Sequence, residues 1–340
     1  MRAAVVEPGG LLRVREVPMP SYGPYEALVK LSYGATCAGT DQRLMEGKHP
    51  TPIPFPAVLG HESVGRVVET GAKVASFRPG DLLSRVGLPA MPELGLGSCW
   101  GGFAQYGVAT DWRAMERDGL PRRMWDKARV QQVVPPDIPE RWAPMIVTWR
   151  ETYSYISRLG LGPGAQAVVI GSGANALAFV RHCACAGVRT VSVGSMGRSD
   201  LARSAGAGAV LDYKDPGLSE ALRAACPRGL DLILDGVGAH GTVNQALPLL
   251  NEGGQVAVYG WNSRDSYGLD PFRAGRSFRV YCGGYDEAEA HGAVIGRIRS
   301  GDLDASLWYD TDHPVPLADI AGAYEGLRAR KALKYLIDLT

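Results

Sequence analysis

Residues 166–176, Gln-Ala-Val-Val-Ile-Gly-Ser-Gly-Ala-Asn-Ala, read as a buried strand, a glycine turn and the start of a helix. Gly171 permits the tight turn, Gly173 lets a pyrophosphate approach the backbone, and Ala176 allows close packing of helix on strand. The helix that Ala174 and Asn175 open would offer its unpaired N–H groups and dipole to phosphate. The residues after this loop restrict the fold further. Strand-like and Ala-rich helical segments alternate at 166–170, 175–186, 190–193, 199–205, 209–211, 218–225 and 230–234, with a later strand at 253–260. That rhythm predicts a doubly wound parallel sheet with crossover helices, and the glycine loop makes it a dinucleotide-binding one.

The end of the second strand bears on which dinucleotide. An acidic residue about 20 positions after the loop would bind a ribose 2′-hydroxyl. Here residues 191–198 read Val-Ser-Val-Gly-Ser-Met-Gly-Arg, and no carboxylate stands there to repel a 2′-phosphate. After Gly194, Ser195 offers a hydrogen bond and Arg198 a charge-assisted fork, so NADP(H) is expected over NAD(H). The nearest acid, Asp200, falls past the strand, in the next helix.

The chain has 340 residues, enough for two domains that each bury a core. A net charge of +1 argues against nucleic acid as a main partner, which calls for a strongly basic face. No apolar run is long enough to span a bilayer, and Glu7 and Pro8 interrupt any signal-like core, so a cytoplasmic location is expected. The six cysteines lack disulfide spacing, and Cys183 and Cys185 read as small buried hydrophobes in a helix.

Before the parallel sheet the sequence is of another kind. Residues 1–100 are rich in Gly and Pro, with short β-type runs at 27–31, 63–68 and 81–83, the last after the turn Arg78-Pro79-Gly80. This predicts a compact all-β, barrel-like domain. Residues 108–142 carry Trp112, Trp125 and Trp142 among mixed charges and read as a solvated helical or loop insertion. The sharper alternative is a substrate lid or subunit contact anchored by Trp112 and Trp125. A helix at 151–159 ends in a Gly-Pro-Gly stop, and a helix at 287–300 with a mixed tail closes the chain.

Two dozen residues separate Cys37 from Gly60-His61-Glu62. Thiolate, imidazole and carboxylate together suit a catalytic zinc. With Cys37-Ala-Gly-Thr-Asp41, Gly80-Asp81, Gly101-Gly102-Phe103-Ala104 and the nucleotide loop, this segment resembles the medium-chain dehydrogenase/reductase superfamily of the zinc-type alcohol dehydrogenases. The likeness runs over nearly the whole chain. It implies a GroES-like barrel catalytic domain from residues 1–147 and 282–340, with a Rossmann domain inserted at 148–281. It further implies a small-molecule substrate, an active site in the cleft between the domains, and a homodimer or homotetramer.

The chain departs from that family's zinc pattern in three places. Cys37 lies one residue early relative to Thr40-Asp41. The position of the usual third ligand falls near Val147, which cannot bind zinc. The four-cysteine lobe of a structural zinc is absent, only Cys99 occurring between 85 and 110, so no structural zinc is expected. Members resembling bacteriochlorophyllide dehydrogenases carry Ser-x-Gly-Thr-Glu and a later Glu-Thr. Cys37 to Asp41 and Glu151-Thr152 match that spacing.

Two alternatives therefore stand. In one, Cys37, His61 and Glu62 hold a zinc with an open position, Asp41 supports His61, Thr40 relays the proton, and Glu151 is an alternate ligand or a carboxylate near the nicotinamide. In the other, no zinc is bound and His61, Thr40, Tyr153 or Glu151 supplies the acid, which also fits an enone or quinone reductase. A non-catalytic nucleotide-binding protein is the reading outside enzymes. Resemblance assigns Lys334 to the cofactor phosphates. The polar set Thr40, Asp41, Arg150 and Glu151 points to a secondary alcohol of sugar or cyclitol type. His49, His182, His240, His291 and His313 read as structural or surface residues.

Overall fold

Short strands bounded by glycine and proline turns make up the first part of the chain, as their composition requires. They are β1 (Arg2–Val6), β2 (Leu12–Glu16), β3 (Glu26–Ala35), β4 (Ala57–Val58), β5 (Glu62–Thr70), β6 (Leu82–Ser84), β7 (Gly97–Ser98), β8 (Tyr106–Thr110) and β9 (Val133–Val134). Helix α1 (Thr40–Met45) follows β3, and α2 (Trp112–Arg117) follows β8. The computed structural model describes all residues except 50–52, 239–240, 261 and 263–265, so His240 lies outside the described residues.

Helix α3 (Met145–Ser157) leads into the alternating segment, beginning six residues before the expected 151 because the helix starts directly after Pro144. Then come β10 (Gln166–Ile170), α4 (Ala174–Cys185), β11 (Arg189–Gly194), α5 (Ser199–Ser204), β12 (Ala209–Asp212), α6 (Leu218–Ala225), β13 (Leu230–Asp235), β14 (Leu250–Val258) and β15 (Arg279–Tyr281). These six strands form one parallel sheet in the order β12-β11-β10-β13-β14-β15. Its strands bury Val168, Ile170, Val191, Val193, Ile233 and Val256 against the helices.

The remainder is α7 (His291–Arg299), β16 (Val315–Pro316), α8 (Ile320–Arg328) and β17 (Leu336–Asp338). By contacts, one unit comprises Met1–Val147 and His291–Thr340, the other Thr148–Ala290. The return to the first unit thus begins at 291 rather than 282. Residues 282–290 stay with the second unit through the Glu287–Arg150 ion pair and the Asp286 N–H, which donates to Ser154 Oγ at 2.9 Å. Helix α7 likewise starts later than 287, since the Asp286 carboxylate accepts the Ala288 N–H and holds a turn there.

In the first unit, β2-β1-β4-β7 form one sheet and β16-β17-β3-β5-β6-β9 the other, with β8 also on β3. Strand β3 is long enough to pair with β8 along Glu26–Lys30 and with β17 along Tyr33–Ala35. The core contains Val5, Val29, Leu31, Leu59, Leu83, Phe103 and Ile337. Trp112 and Trp125 stack on each other at 5.9 Å, and Trp125 is buried with its indole N–H on the Leu120 carbonyl. No described helix is long and apolar enough to cross a membrane.

Candidate active site

Strand register assembles the centre of the first unit. Ala35, at the end of β3, lies opposite Glu62 at the start of β5 and opposite Leu336 at the start of β17. Three strand ends therefore meet at one edge of the sheet, and the residues just beyond them are Thr36-Cys37, His61 and Lys334. Cys37 Sγ, one His61 ring nitrogen and a Glu62 oxygen all lie within 4.8 Å of one another. Gly60 is needed for this placement. Its φ is +104°, and a Cβ there would come within 2.7 Å of the Phe103 ring and backbone nitrogen. The Gly-His-Glu and Gly-Gly-Phe-Ala motifs are thus two sides of one packing contact.

Two further buried charged groups, Asp41 and Lys334, hold the residues that carry these ligand atoms. His61 Nδ1 meets Asp41 Oδ1 at 3.0 Å, leaving Nε2 on the side of Glu62, 3.6 Å from Oε1. Asp41, in the first turn of α1, also accepts the Cys37 N–H at 2.8 Å and the Tyr324 hydroxyl at 2.5 Å. Burial works against ionisation of Asp41, and His61, Tyr324 and the Cys37 N–H outweigh it, so the carboxyl stays below its ordinary range. Burial likewise works against an imidazolium at His61. Asp41 and Cys37 outweigh it and hold the metal-free ring well above its ordinary range.

Lys334 corrects an expectation. Its ammonium is buried, donates to both Glu62 oxygens at 2.6 and 2.7 Å and to the Thr36 carbonyl at 3.2 Å, and is thereby committed to Glu62 rather than to a phosphate. Burial lowers its proton affinity, and Glu62 more than restores it. Within the cluster Asp41 is thus paired with His61, and Glu62 with Lys334.

The donor set fits a zinc ion. A tetrahedral zinc with bonds of about 2.0–2.3 Å needs ligand atoms about 3.5 Å apart, within reach of the three seen here. Asp41 fixes the His61 tautomer so that Nε2 faces the ligand cluster, the orientation that zinc-binding histidines receive from a carboxylate behind them. A carboxylate has about four acceptor positions, so the Lys334 bonds leave Glu62 capacity to ligate.

Two residues that sequence reasoning missed border the cluster. Arg85 and Trp100 have φ of 62° and 65°, a left-handed backbone that side chains other than glycine rarely adopt. Arg85 gives its N–H to the Ser63 carbonyl and Nη1 to the His61 carbonyl at 2.8 Å. The Trp100 indole is 45% exposed, 5.4 Å from the His61 ring and 5.7 Å from the Arg85 guanidinium. Only the glycines after Trp100 hinted at an unusual loop.

The second unit contains the glycine loop expected to take the nucleotide. Gly171 has φ +127°, and a Cβ there would meet Ala176 Cβ and Val237 Cγ2 at 3.1 Å, the close helix–strand packing expected of the motif. A Cβ on Gly173 would point into open space, which fits a pyrophosphate approaching at that point. Gly194 closes against Ser172, and Arg198 Nη1 donates to the Ser172 carbonyl at 2.9 Å, setting the guanidinium beside the loop. Ser195 directly precedes the short turn that carries Arg198.

The other expected residues are placed by the elements that carry them. Thr40 is half-buried as the first residue of α1. Glu151 lies in α3 in the second unit, with Tyr259 Oη 3.5 Å from Oε2. Val147 is a buried core residue. The polar set drawn for a sugar-type substrate does not form as expected. Arg150 is fully buried on Glu287, and Asp41 on His61 and Tyr324. His182 meets Thr152 Oγ1 at 3.0 Å and Tyr153 ring-to-ring, His291 bonds the Val133 carbonyl, and His313 pairs with Asp310. His49 lies 6.1 Å from the Trp100 ring.

Comparison with known proteins bears on the family and the fold. The model of the alcohol dehydrogenase GroES-like domain matches residues 23–119, and that of the zinc-binding dehydrogenase family matches residues 162–290. The chain is 28% identical to a probable zinc-binding alcohol dehydrogenase of Mycobacterium tuberculosis, covering 97% of this chain and 86% of that protein. It is 29% identical to an L-threonine 3-dehydrogenase of Anaeromyxobacter sp., covering 97% and 95%. Among solved structures, benzyl alcohol dehydrogenase of Acinetobacter calcoaceticus shares the fold with a TM-score of 0.82 at 18% identity, covering 100% of this chain and 99% of that one. With both units matched by family models and full-length relatives on the same fold, the chain belongs to the medium-chain dehydrogenase/reductase superfamily as a zinc-type alcohol dehydrogenase-like oxidoreductase.

Proposed function

We propose that this protein is an NADP(H)-dependent dehydrogenase interconverting a small secondary alcohol and its ketone, with one zinc held by Cys37, His61 and Glu62. The observation that carries the reading is the ligand cluster itself, with Asp41 orienting His61 and Lys334 holding Glu62. A bound zinc would supply a Lewis acid that polarises the carbonyl or stabilises the alkoxide. The chain's own groups do the rest. Asp41 keeps His61 in one tautomer, Lys334 holds Glu62 in place by both of its oxygens, and the Thr40 hydroxyl passes the alcohol proton outward.

Arg198 supports the choice of NADP(H), since its guanidinium is fixed beside the loop where no carboxylate opposes a 2′-phosphate. The substrate stays at the level of a secondary alcohol, because two of the four residues that pointed to a sugar or cyclitol are buried in ion pairs or hydrogen bonds. A homodimer or homotetramer without a structural zinc belongs to the same reading.

The test is metal analysis of protein expressed with ample zinc, alongside NADPH and NADH titrations and ketone reduction assays. About one zinc per chain, NADPH bound tighter than NADH, and loss of that preference in Arg198→Ala are expected. Metal-free protein that still reduces enones would transfer the assignment to the zinc-free reductase reading.

A further inference from the structure

The nucleotide unit contains a polar chain that the glycine-loop motif does not require. Asn175, the second residue of α4, donates its Nδ2–H to Tyr259 Oη at 3.1 Å. Tyr259 Oη in turn faces Glu151 Oε2 at 3.5 Å. Tyr259 follows β14 directly, and all three residues are half-buried. The Tyr259 ring is packed edge-on by Tyr155 at 5.1 Å and Phe179 at 4.8 Å, so its hydroxyl is fixed in position.

The place of this chain in the sheet says what it faces. Strand β13 lies between β10 and β14, so the Asn175–Tyr259 bond passes over the carboxyl end of β13. The sheet reverses its strand order at β10, with β11 on one side and β13 on the other. Dinucleotides straddle such a reversal at the carboxyl ends of the strands. Ser195 and Arg198, which follow β11, serve the phosphorylated ribose of the proposed NADP(H). The other half of the dinucleotide then falls to β13 and β14, beneath Asn175, Tyr259 and Glu151.

A nicotinamide ring needs only an apolar wall, but its primary carboxamide needs both donors and acceptors. One of the two Asn175 amide hydrogens goes to Tyr259; the amide also has a second N–H and a carbonyl. An amide paired to an amide satisfies both partners. We propose that Asn175, oriented by Tyr259 and Glu151, recognises the carboxamide of the nicotinamide and sets the rotation of the ring about its ribose bond. Asn175 makes the contact, and Tyr259 and Glu151 are positioning residues. This inference rests on the nicotinamide-cofactor reading and takes, of the two roles expected of Glu151, the one near the nicotinamide.

The experiment is calorimetric titration of the full-length protein with three ligands. These are NADP⁺, its 3-acetylpyridine analogue, in which a methyl replaces the amide nitrogen, and 2′-phospho-ADP-ribose, which lacks the nicotinamide. The series without the 2′-phosphate runs in parallel. Wild type should bind the nicotinamide form about tenfold tighter than the acetylpyridine form, the effect of one or two net hydrogen bonds. Tyr259→Phe, which removes only a hydroxyl, and Asn175→Ala should bring the two forms to equal affinity while leaving the ADP-ribose ligand unchanged.

Equal wild-type affinity for the two forms overturns the proposal. So do variants that retain the preference, or that weaken all three ligands alike, which is the mark of a merely structural role. Wild type that binds none of the ligands in either series overturns the cofactor reading itself, and this inference with it.

Discussion

The centre around His61 and the crevice around Gly173 both prepare a place for charge, and they do so by opposite means. The first buries Asp41, His61, Glu62 and Lys334 and balances each with another side chain. The second uses a glycine turn and the start of α4, where a Cβ on Gly173 would point into open space. A network of paired side chains is unforgiving, because deleting one member leaves another charge buried without compensation. At its glycine turn the crevice is sensitive to what fills its open space rather than to the loss of a charged partner.

Substitutions can break or sharpen this contrast. His61→Gln keeps a donor toward Asp41 but removes the imidazole ligand. Zinc should be lost and turnover should fall about 10³-fold, the worth of several kcal/mol of Lewis-acid stabilisation. Retained zinc with ordinary turnover would show that the cluster is structural.

Next in size is Lys334→Met, which strands the Glu62 carboxylate in the core. We expect a loss of about 3 kcal/mol in denaturant unfolding, with much of it recovered by Lys334→Arg. A variant as stable as wild type would mean that the ion pair contributes little. Asp41→Asn should lower zinc affinity about 10- to 100-fold, measured by competition with a chelator, while the fold survives. The smallest effect belongs to the crevice. Gly173→Ala adds a methyl that meets no protein atom. Its melting temperature should match wild type while dinucleotide affinity falls about tenfold. An equal loss of stability there would erase the distinction between the two regions.

The same contrast explains what could be read in advance. The crevice is contiguous, and strand 166–170, the glycine turn and helix 218–225 lie where periodicity and turn chemistry put them. Boundaries moved by a few residues where local hydrogen bonds decide, as at Asp286. In the other unit, Cys37 and the His-Glu pair were legible as ligand types, and the structure brings them together despite their altered spacing.

Their supporting charges were not legible. Lys334 meets Glu62 across 272 residues, and nothing local to either indicates the partner; the β17–β3–β5 register does. Arg150 looked available on paper because its partner Glu287 lies 137 residues away. Left-handed Arg85 and Trp100 break the residue preferences on which reading depends, so their place beside His61 could not be inferred.

Register has one more consequence, in time rather than in space. Strand β3 is synthesised early, yet its second half has β17 as a neighbour, and Asp41 receives the Tyr324 hydroxyl from 283 residues downstream. During translation the whole second unit, Thr148–Ala290, emerges as a contiguous folding unit while that half of β3 still lacks the strand it will pair with. Cys37, His61 and Glu62 are therefore synthesised well before the lysine that pairs with Glu62. Until β17 docks, Glu62 has no lysine, and the nascent chain has its contiguous second unit before the surroundings of His61 are complete.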